Sequence, residues 1–150
     1  MIKVGDKLPA FELQDQTGKV IKSEDYKGKR LFLSWHPLAF TSVCTDQMRD
    51  MAKNIETFEA KNTVPFGLSV DAQPSKAVWA QAIGLDPEKE KILADHGPFA
   101  GYTKKLGLFN EEMGTSERAN LITDENHVVT WIKVYEPTEY PDINEVLEQL

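Results

Sequence analysis

The chain has 150 residues, enough to bury the core of one folded domain, and we predict a single domain over residues 1–150. Its net charge of −7 argues against binding to nucleic acids or anionic membranes, because both attract positive protein surfaces. No apolar run reaches the length of about 18 residues that a membrane span needs, and the first residues lack an apolar signal core. The single cysteine excludes an internal disulfide, which is typical of a reducing compartment, so we expect a cytoplasmic protein.

In the first part of the chain, predicted strands give way to a long predicted helix. Two short stretches around a turn at Gly18 predict a hairpin over residues 11–21. Residues 30–35 form a compact apolar run, which predicts a central strand that Pro37 ends. From residue 42 to about residue 60 the apolar period is helical, and the stripe consists of Cys44, Met48, Met51, Ile55 and Phe58.

The rest of the chain continues the alternation and ends in a second hairpin and a helix. Asp142 and Glu145 resemble a capping box, which predicts a final helix with an apolar face. The other predicted elements are a strand at 64–70, a helix at 74–83, a short strand at 91–95, a short helix at 99–106 and a hairpin of 119–123 and 127–135. This order predicts an α/β protein with a thioredoxin-like fold, in which helices flank a central mixed sheet and an N-terminal β-hairpin extends it.

The strongest functional signal lies between the first core strand and the long helix. Cys44 falls in the first turn of that helix, where free backbone N–H groups and the helix dipole favour a thiolate. Thr41 precedes it by three residues, so its hydroxyl can face the sulfur and hold one oxygen of a peroxide. Pro37 has no N–H and can shield the sulfur without adding a competing donor. Taken singly, these residues also fit a buried core cysteine, a helix cap and a strand terminator.

Taken together, the spacing Pro37-x3-Thr41-x2-Cys44 resembles the active-site signature of peroxiredoxins, and residues 36–45 resemble their single-cysteine branch. The resemblance covers nearly the whole chain, including residues 4–11, 66–71 and 117–124. It implies that Arg118 is a fourth site residue, which stabilises the thiolate and grips the peroxide oxygen on which charge builds. The alternative for Arg118 is a surface arginine that pairs with Glu117 or Asp124.

The resemblance implies a thiol peroxidase without a cofactor, which reduces hydrogen peroxide or organic hydroperoxides through a Cys44 sulfenic acid. An external thiol then regenerates Cys44, and thioredoxin, glutaredoxin and low-molecular-weight thiols are the candidate donors. The chain departs from the family where Ser42 replaces a frequent proline. It also lacks a resolving cysteine, and Ser75 is a polar residue at a position where such a cysteine could have stood.

The resemblance also suggests a homodimer, and the apolar residues 35–40 around the site entrance support it. In the alternative, Leu38 and Phe40 fold under the loop into the core. If the dimer forms, a closed two-fold arrangement is expected.

Two other functions stay open at this stage. The first is a peroxide-responsive redox sensor, in which oxidised Cys44 changes the binding of a partner, and the second is a non-catalytic thioredoxin-like binding protein. A disulfide reductase is disfavoured, because no Cys-x-x-Cys pair exists. His36, His96 and His127 lack ligand spacing, so no metal site is predicted. His36 itself either adjusts substrate access or a hydrogen bond to the sulfenate, or it is a packed or strand-edge histidine, and the second interpretation is favoured.

Overall fold

Seven of the nine strands form one mixed sheet in the computed structural model, which describes residues 1–150. The strands are β1 (Glu12–Gln14), β2 (Val20–Lys22), β3 (Arg30–Trp35), β4 (Thr63–Ser69), β5 (Lys91–Ala94), β6 (Phe109–Asn110), β7 (Thr115–Ser116), β8 (Arg118–Thr123) and β9 (Val129–Tyr135). The α-helices are α1 (Ser42–Lys53), α2 (Ile55–Ala60), α3 (Gln73–Ala82), α4 (Gly101–Lys105) and α5 (Ile143–Leu147). None of them is long and apolar enough to cross a membrane.

The main sheet has the strand order β2-β1-β5-β4-β3-β8-β9, and β6 and β7 form a separate small ribbon. At its centre β3, β4 and β5 are parallel, whereas β8 and β9 extend one side as antiparallel strands. The β1–β2 hairpin joins the other edge where Gln14 pairs with Ala94. The predicted mixed sheet with an N-terminal hairpin is therefore confirmed.

Each face of the sheet carries its own apolar core, because successive side chains of a strand point to opposite faces. On β3, Leu31 and Leu33 belong to one core, together with residues of α4. Phe32 belongs to the other core, which packs against α1, α2, α3 and α5 and contains Cys44. The helical stripe predicted from Cys44 to Phe58 is buried throughout, so its assignment to the core is confirmed.

The prediction of one continuous helix from residue 42 to residue 60 is wrong at Asn54. This residue has φ −111° and ψ 13°, and it ends α1 before α2 begins. Its side-chain amide donates to the carbonyl of Asp50 at 2.8 Å, while its backbone N–H donates to Met51. A short polar side chain that bonds to the nearby backbone competes with helix continuation, which explains the break.

The capping box predicted at the last helix is only half formed. Asp142 caps α5, since its carboxylate accepts a hydrogen bond from the N–H of Asn144 at 2.9 Å. Glu145 turns away from the helix start and accepts from Lys133 and Tyr135 at 2.9 and 2.7 Å. A charged and a phenolic donor on β9 thus replace the backbone donor that a capping box would use.

Gly67 on β4 lets α1 approach the sheet closely. A Cβ at this position would lie 2.5 Å from Met48 Sδ and 2.9 Å from Ile92 Cγ2, which is shorter than real contacts allow. Met48 follows Cys44 by one helical turn on the buried face. The absence of a side chain at Gly67 therefore helps to set the position of the helix that carries Cys44.

Candidate active site

Cys44 is the third residue of α1 and its thiol is free and fully buried. Thr41, three residues before Cys44, occupies the N-cap position of α1, with φ −96° and ψ 154°. The sulfur thus lies in the first helical turn, where backbone N–H groups have no partner within the helix. The positive end of the helix dipole therefore lies close to this sulfur, and the thiolate that the sequence predicts at Cys44 stays a prediction.

The loop that leads into α1 is held by Asp71, which lies two residues after the end of β4. The N–H of Ala39 donates to Asp71 Oδ2 at 2.9 Å, and the hydroxyl of Ser69 donates to the same oxygen at 2.5 Å. The next residue, Phe40, has φ 67°, a left-handed conformation that is unfavourable for a bulky side chain. The carboxylate of Asp71 therefore stabilises a strained loop next to the reacting sulfur.

Arg118 contacts the Cys44 sulfur directly. Its Nη1 donates to Sγ at 3.4 Å, and the side chain is 4% exposed. The register of the sheet explains the contact, because Ala119 on β8 pairs with Trp35 at the end of β3. Arg118 consequently lies level with the start of the loop that carries the chain to Cys44.

The remaining hydrogen bonds of Arg118 all go to neutral acceptors. Nη1 donates to Gln47 Oε1 at 2.7 Å, while Nε and Nη2 donate to the Pro137 carbonyl at 3.2 and 2.9 Å. Arg118 forms no ion pair, so its proposed pairing with Glu117 or Asp124 is wrong. A buried guanidinium without a carboxylate is available to stabilise a thiolate and the charge that develops on a reacting oxygen.

Gln47 connects this guanidinium to the sheet. Its amide nitrogen donates to Ser34 Oγ at 2.6 Å and to the Trp35 carbonyl at 3.1 Å. Ser34 in turn donates to Asn120 Oδ1 at 2.7 Å. These bonds leave Gln47 Oε1 directed at Arg118, so the network orients the guanidinium against the sulfur.

Thr41 and Pro37 flank the sulfur along the chain, but no hydrogen bond joins Thr41 to Cys44 or Arg118. The Thr41 hydroxyl donates to the Leu38 carbonyl at 2.9 Å, and the residue is exposed. Its oxygen retains acceptor capacity for a ligand. Pro37 is buried in the loop. The roles that the sequence predicts for both residues stay predictions.

On α3, Ser75 is exposed, and the next residue, Lys76, is fully buried. Lys76 Nζ lies 3.1 Å from His36 Nε2, and the His36 ring packs against Trp79 with centroids 5.0 Å apart. His36 is thus a packed histidine, as the favoured interpretation predicts, and its ring also contacts Lys76.

Burial dominates the ionisation of this pair. It lowers the pKa of Lys76 to about 7, while the charges of Asp71 and Cys44 act in the opposite direction. Burial also lowers the pKa of His36 well below its usual value, and the cations of Lys76 and Arg118 add to this effect. The ring of His36 is therefore neutral near pH 7.

The other two histidines lie outside this site. His96 Nδ1 lies 3.2 Å from the Val70 carbonyl, and His127 Nε2 lies 3.0 Å from the Tyr26 carbonyl. No group of three or more His, Cys, Asp or Glu side chains is arranged to hold a metal ion.

Two residues of this site, Gln47 and Lys76, are not among those that the sequence motif predicts. Both carried a signal, since each is a polar residue on the apolar face of a helix. Gln47 follows Cys44 by three residues, and Lys76 precedes Trp79 and Ala80 by three and four residues, the spacing of one buried helix face.

The comparisons with known proteins agree with this geometry. A family model described as the AhpC/TSA family matches residues 4–132. Alkyl hydroperoxide reductase E of Mycobacterium tuberculosis is 27% identical over 143 residues, which cover 95% of this chain and 92% of the relative. Peroxiredoxin 2 of Sulfurisphaera tokodaii is 34% identical over 98% of this chain and 70% of its own length. The solved structure of Enterococcus faecalis AhpC has a TM-score of 0.90 at 22% identity, covering 99% of this chain and 90% of that chain. Its fold confirms the predicted thioredoxin-like arrangement.

Proposed function

Because the chain belongs to the AhpC/TSA family of peroxiredoxins, we propose that its thiol-dependent reduction of peroxides takes place at Cys44, with Arg118, Thr41 and Pro37 completing the site. The observation that carries the assignment is the 3.4 Å contact between Arg118 Nη1 and Cys44 Sγ. It places a buried cation without a carboxylate partner against the first turn of α1. A thiolate is stabilised there, and the thiolate is the nucleophile.

In the first step, the Cys44 thiolate attacks the terminal oxygen of R–O–OH. The S–O bond forms as the O–O bond breaks, so Cys44 becomes a sulfenic acid and RO⁻ leaves as the reduced product. A proton converts this alkoxide into ROH. Arg118 stabilises the charge that develops on the oxygens, and the Thr41 hydroxyl positions the peroxide.

In the second step, an external thiol reduces the sulfenic acid. The first thiol R′SH forms a mixed disulfide with Cys44 and releases water, and a second thiol releases R′SSR′ and restores Cys44. The single cysteine supports this external route, because the chain holds no second sulfur that could resolve the sulfenic acid. We therefore assign the single-cysteine mode of peroxiredoxin chemistry.

Peroxide consumption tests the assignment. The wild-type chain is mixed with hydrogen peroxide or an organic hydroperoxide and with thioredoxin, glutaredoxin, glutathione or a small dithiol. Steady consumption with at least one donor is expected, and Cys44→Ser is expected to be inactive with all of them. One stoichiometric oxidation without turnover would point to a redox sensor, and an unreactive Cys44 would point to a binding protein.

Mass spectrometry tests the single-cysteine mode separately. One equivalent of peroxide without a reductant is expected to add one oxygen to Cys44, which dimedone traps, and excess peroxide is expected to add a second. A quantitative disulfide between two Cys44 residues would contradict this order of events.

A homodimer is the assembly that we propose. Leu38 and Phe40 are 43% and 60% exposed, so the alternative in which they fold into the core is wrong. These apolar side chains belong to the loop that precedes Cys44, and a second copy of the chain would cover them. Sedimentation over a wide concentration range, run beside activity, tests the proposal. A dimer whose activity per chain falls on dilution is expected, and a fully active monomer would exclude it.

A further inference from the structure

Lys76 is a fully buried cation that forms no ion pair. Burying an ammonium group without a carboxylate partner is unfavourable, and a well-packed apolar residue at such a position is often more stabilising. Lys76 Nζ has one hydrogen-bond partner, His36 Nε2 at 3.1 Å. Its retention in the core is therefore not explained by its contribution to stability.

The charge of Lys76 also determines the state of His36. An ammonium group only donates hydrogen bonds, so Nε2 of the neutral His36 ring accepts and the ring proton resides on Nδ1. Nδ1 is buried and has no partner in the protein. The pair thus presents a buried cation at one end and an unused N–H donor at the other.

Three charged or titratable groups outside this pair influence it. Asp71 after β4 and Cys44 on α1 act on Lys76, and Arg118 on β8 acts on His36.

Trp79 follows Lys76 by three residues on α3, packs on the His36 ring and donates its indole N–H to Thr45, the residue after Cys44, at 3.2 Å. The pair therefore lies beside the first turn of α1, and Cys44 acts to raise the pKa of Lys76. Opposite charges stabilise each other, so the ammonium group favours a thiolate at Cys44.

We propose that Lys76, held by His36, is a second cation of the Cys44 site, a positioning residue whose ammonium group favours the thiolate during attack on the peroxide. This inference rests on the proposed function and extends it. Attack converts the Cys44 anion into a neutral sulfenic acid and leaves Lys76 without the charge that stabilised its proton. The charge state of Lys76 therefore depends on the redox state of Cys44.

The proposal predicts a specific pH dependence. Burial brings the pKa of Lys76 to about 7, so the ammonium group is present below this pH and is lost as the pH rises through it. The rate of Cys44 oxidation is expected to fall in the same range. Arg118 keeps its charge throughout, so it cannot produce this decrease.

The experiment follows single-turnover oxidation of Cys44 by hydrogen peroxide without a thiol donor, using quenched samples and intact mass, from pH 5.5 to pH 9. Lys76→Met removes the charge and keeps the chain length. It is expected to react about tenfold more slowly than wild type at pH 6, which corresponds to about 1.4 kcal/mol. Its rate is expected to show no decrease through pH 7. Lys76→Arg keeps a permanent charge and is expected to retain the fast rate without the decrease.

Three controls separate charge from packing. Lys105→Met replaces an exposed lysine on α4 and is expected to leave the profile unchanged. His36→Gln retains an acceptor for Lys76 and is expected to keep the decrease, whereas His36→Phe is expected to move it to lower pH. Thermal unfolding of every variant shows whether it is folded.

A folded Lys76→Met variant with the wild-type rate and pH profile would overturn the proposal. Equal losses in Lys76→Met and Lys76→Arg, with a lower Tm in both, would assign Lys76 a structural role instead. If Lys76→Met does not fold, the wild-type profile decides, and a rate that does not decrease through pH 7 excludes the proposal. An unreactive wild-type Cys44 would instead refute the proposed function itself.

Discussion

Two buried cations influence Cys44, and they are held in different ways. Arg118 comes from the sheet and makes four hydrogen bonds, to the sulfur, to Gln47 and twice to the Pro137 carbonyl. Lys76 comes from α3 and makes one hydrogen bond, to a neutral His36 ring. Neither cation has a carboxylate partner in an ion pair.

The difference separates a permanent charge from a conditional one. A guanidinium does not lose its proton in proteins, and its planar donors fix its orientation. A buried amine gains or loses its proton as its surroundings change. The Cys44 sulfur thus lies near two basic side chains. Arg118 is always charged, whereas the charge of Lys76 depends on pH and on the charge of Cys44.

Removal of the permanent charge is expected to have the largest effect. Arg118→Ala should slow peroxide reduction roughly a hundred- to a thousandfold, if its contacts supply about 2.7 to 4 kcal/mol to the transition state. Steady-state peroxide consumption measures the loss, and circular dichroism checks the fold. A folded variant with nearly the wild-type rate would show that Arg118 takes no part in peroxide reduction.

A smaller loss is expected when the orientation of Arg118 is disturbed but its charge remains. Gln47→Leu removes the acceptor at 2.7 Å from Nη1 and should slow peroxide reduction about tenfold, through poorer positioning of the guanidinium. Ser34→Ala is the matched control, because Gln47 keeps its bond to the Trp35 carbonyl and the rate should change much less. Equal losses in both variants would show that the network matters only for packing.

The conditional charge should be visible in stability. The pKa of Lys76 falls from 10.5 to about 7 on folding, so between these values the unfolded chain binds a proton that the native protein does not. The free energy of unfolding therefore rises with pH between these two pKa values. Below pH 7 the protein carries the full destabilisation that the buried ammonium group causes. Lys76→Met has no buried ammonium group, so it should be more stable than wild type at pH 7. Each kcal/mol of this gain in the free energy of unfolding should raise its Tm by about 2–4 °C over that of wild type. The difference in Tm between the two proteins should narrow by pH 9. A difference that stays constant with pH would contradict the lowered pKa of Lys76.

The smallest effect is expected from Asp71→Asn. The amide oxygen can still accept from the Ala39 N–H, but the carboxylate charge that raises the pKa of Lys76 is lost. The pH at which Cys44 oxidation slows should move down by a fraction of a pH unit, while the rate at pH 5.5 stays near that of wild type. A shift to higher pH would show that Asp71 does not act on Lys76 through its charge.

The sequence predicts the parts of the site that depend on local order. The apolar run at 30–35 and the helical stripe from Cys44 follow from periodicity, and both lie where the sequence predicts them. The contact of Arg118 with Cys44 was expected only from family resemblance. Its physical cause is the pairing of Ala119 with Trp35, a register that local patterns do not encode.

The parts that the sequence misses depend on competition between distant groups. Asn54 interrupts the helix because its side chain bonds to the Asp50 carbonyl, and Glu145 abandons the capping box for Lys133 and Tyr135. Lys76 would ordinarily be assigned to a solvated helix face. Its spacing to Trp79 and Ala80 indicates the buried face of α3, but its partner, His36 Nε2 at 3.1 Å, comes from the segment after β3, and local spacing does not encode that contact.

The closeness of α1 to the sheet has a consequence for how the sequence can vary. In a library that samples every residue at every position, alanine at Gly67 should be accepted only where Met48 Sδ and Ile92 Cγ2, which would lie 2.5 and 2.9 Å from the new Cβ, move aside, and larger residues should be accepted less. Gly97 faces open space and should accept alanine readily. This restriction would come from Met48, which lies on α1 one turn after Cys44. Sequence variation at a strand position that takes no part in the reaction is therefore limited by the packing of the helix that presents the reacting sulfur.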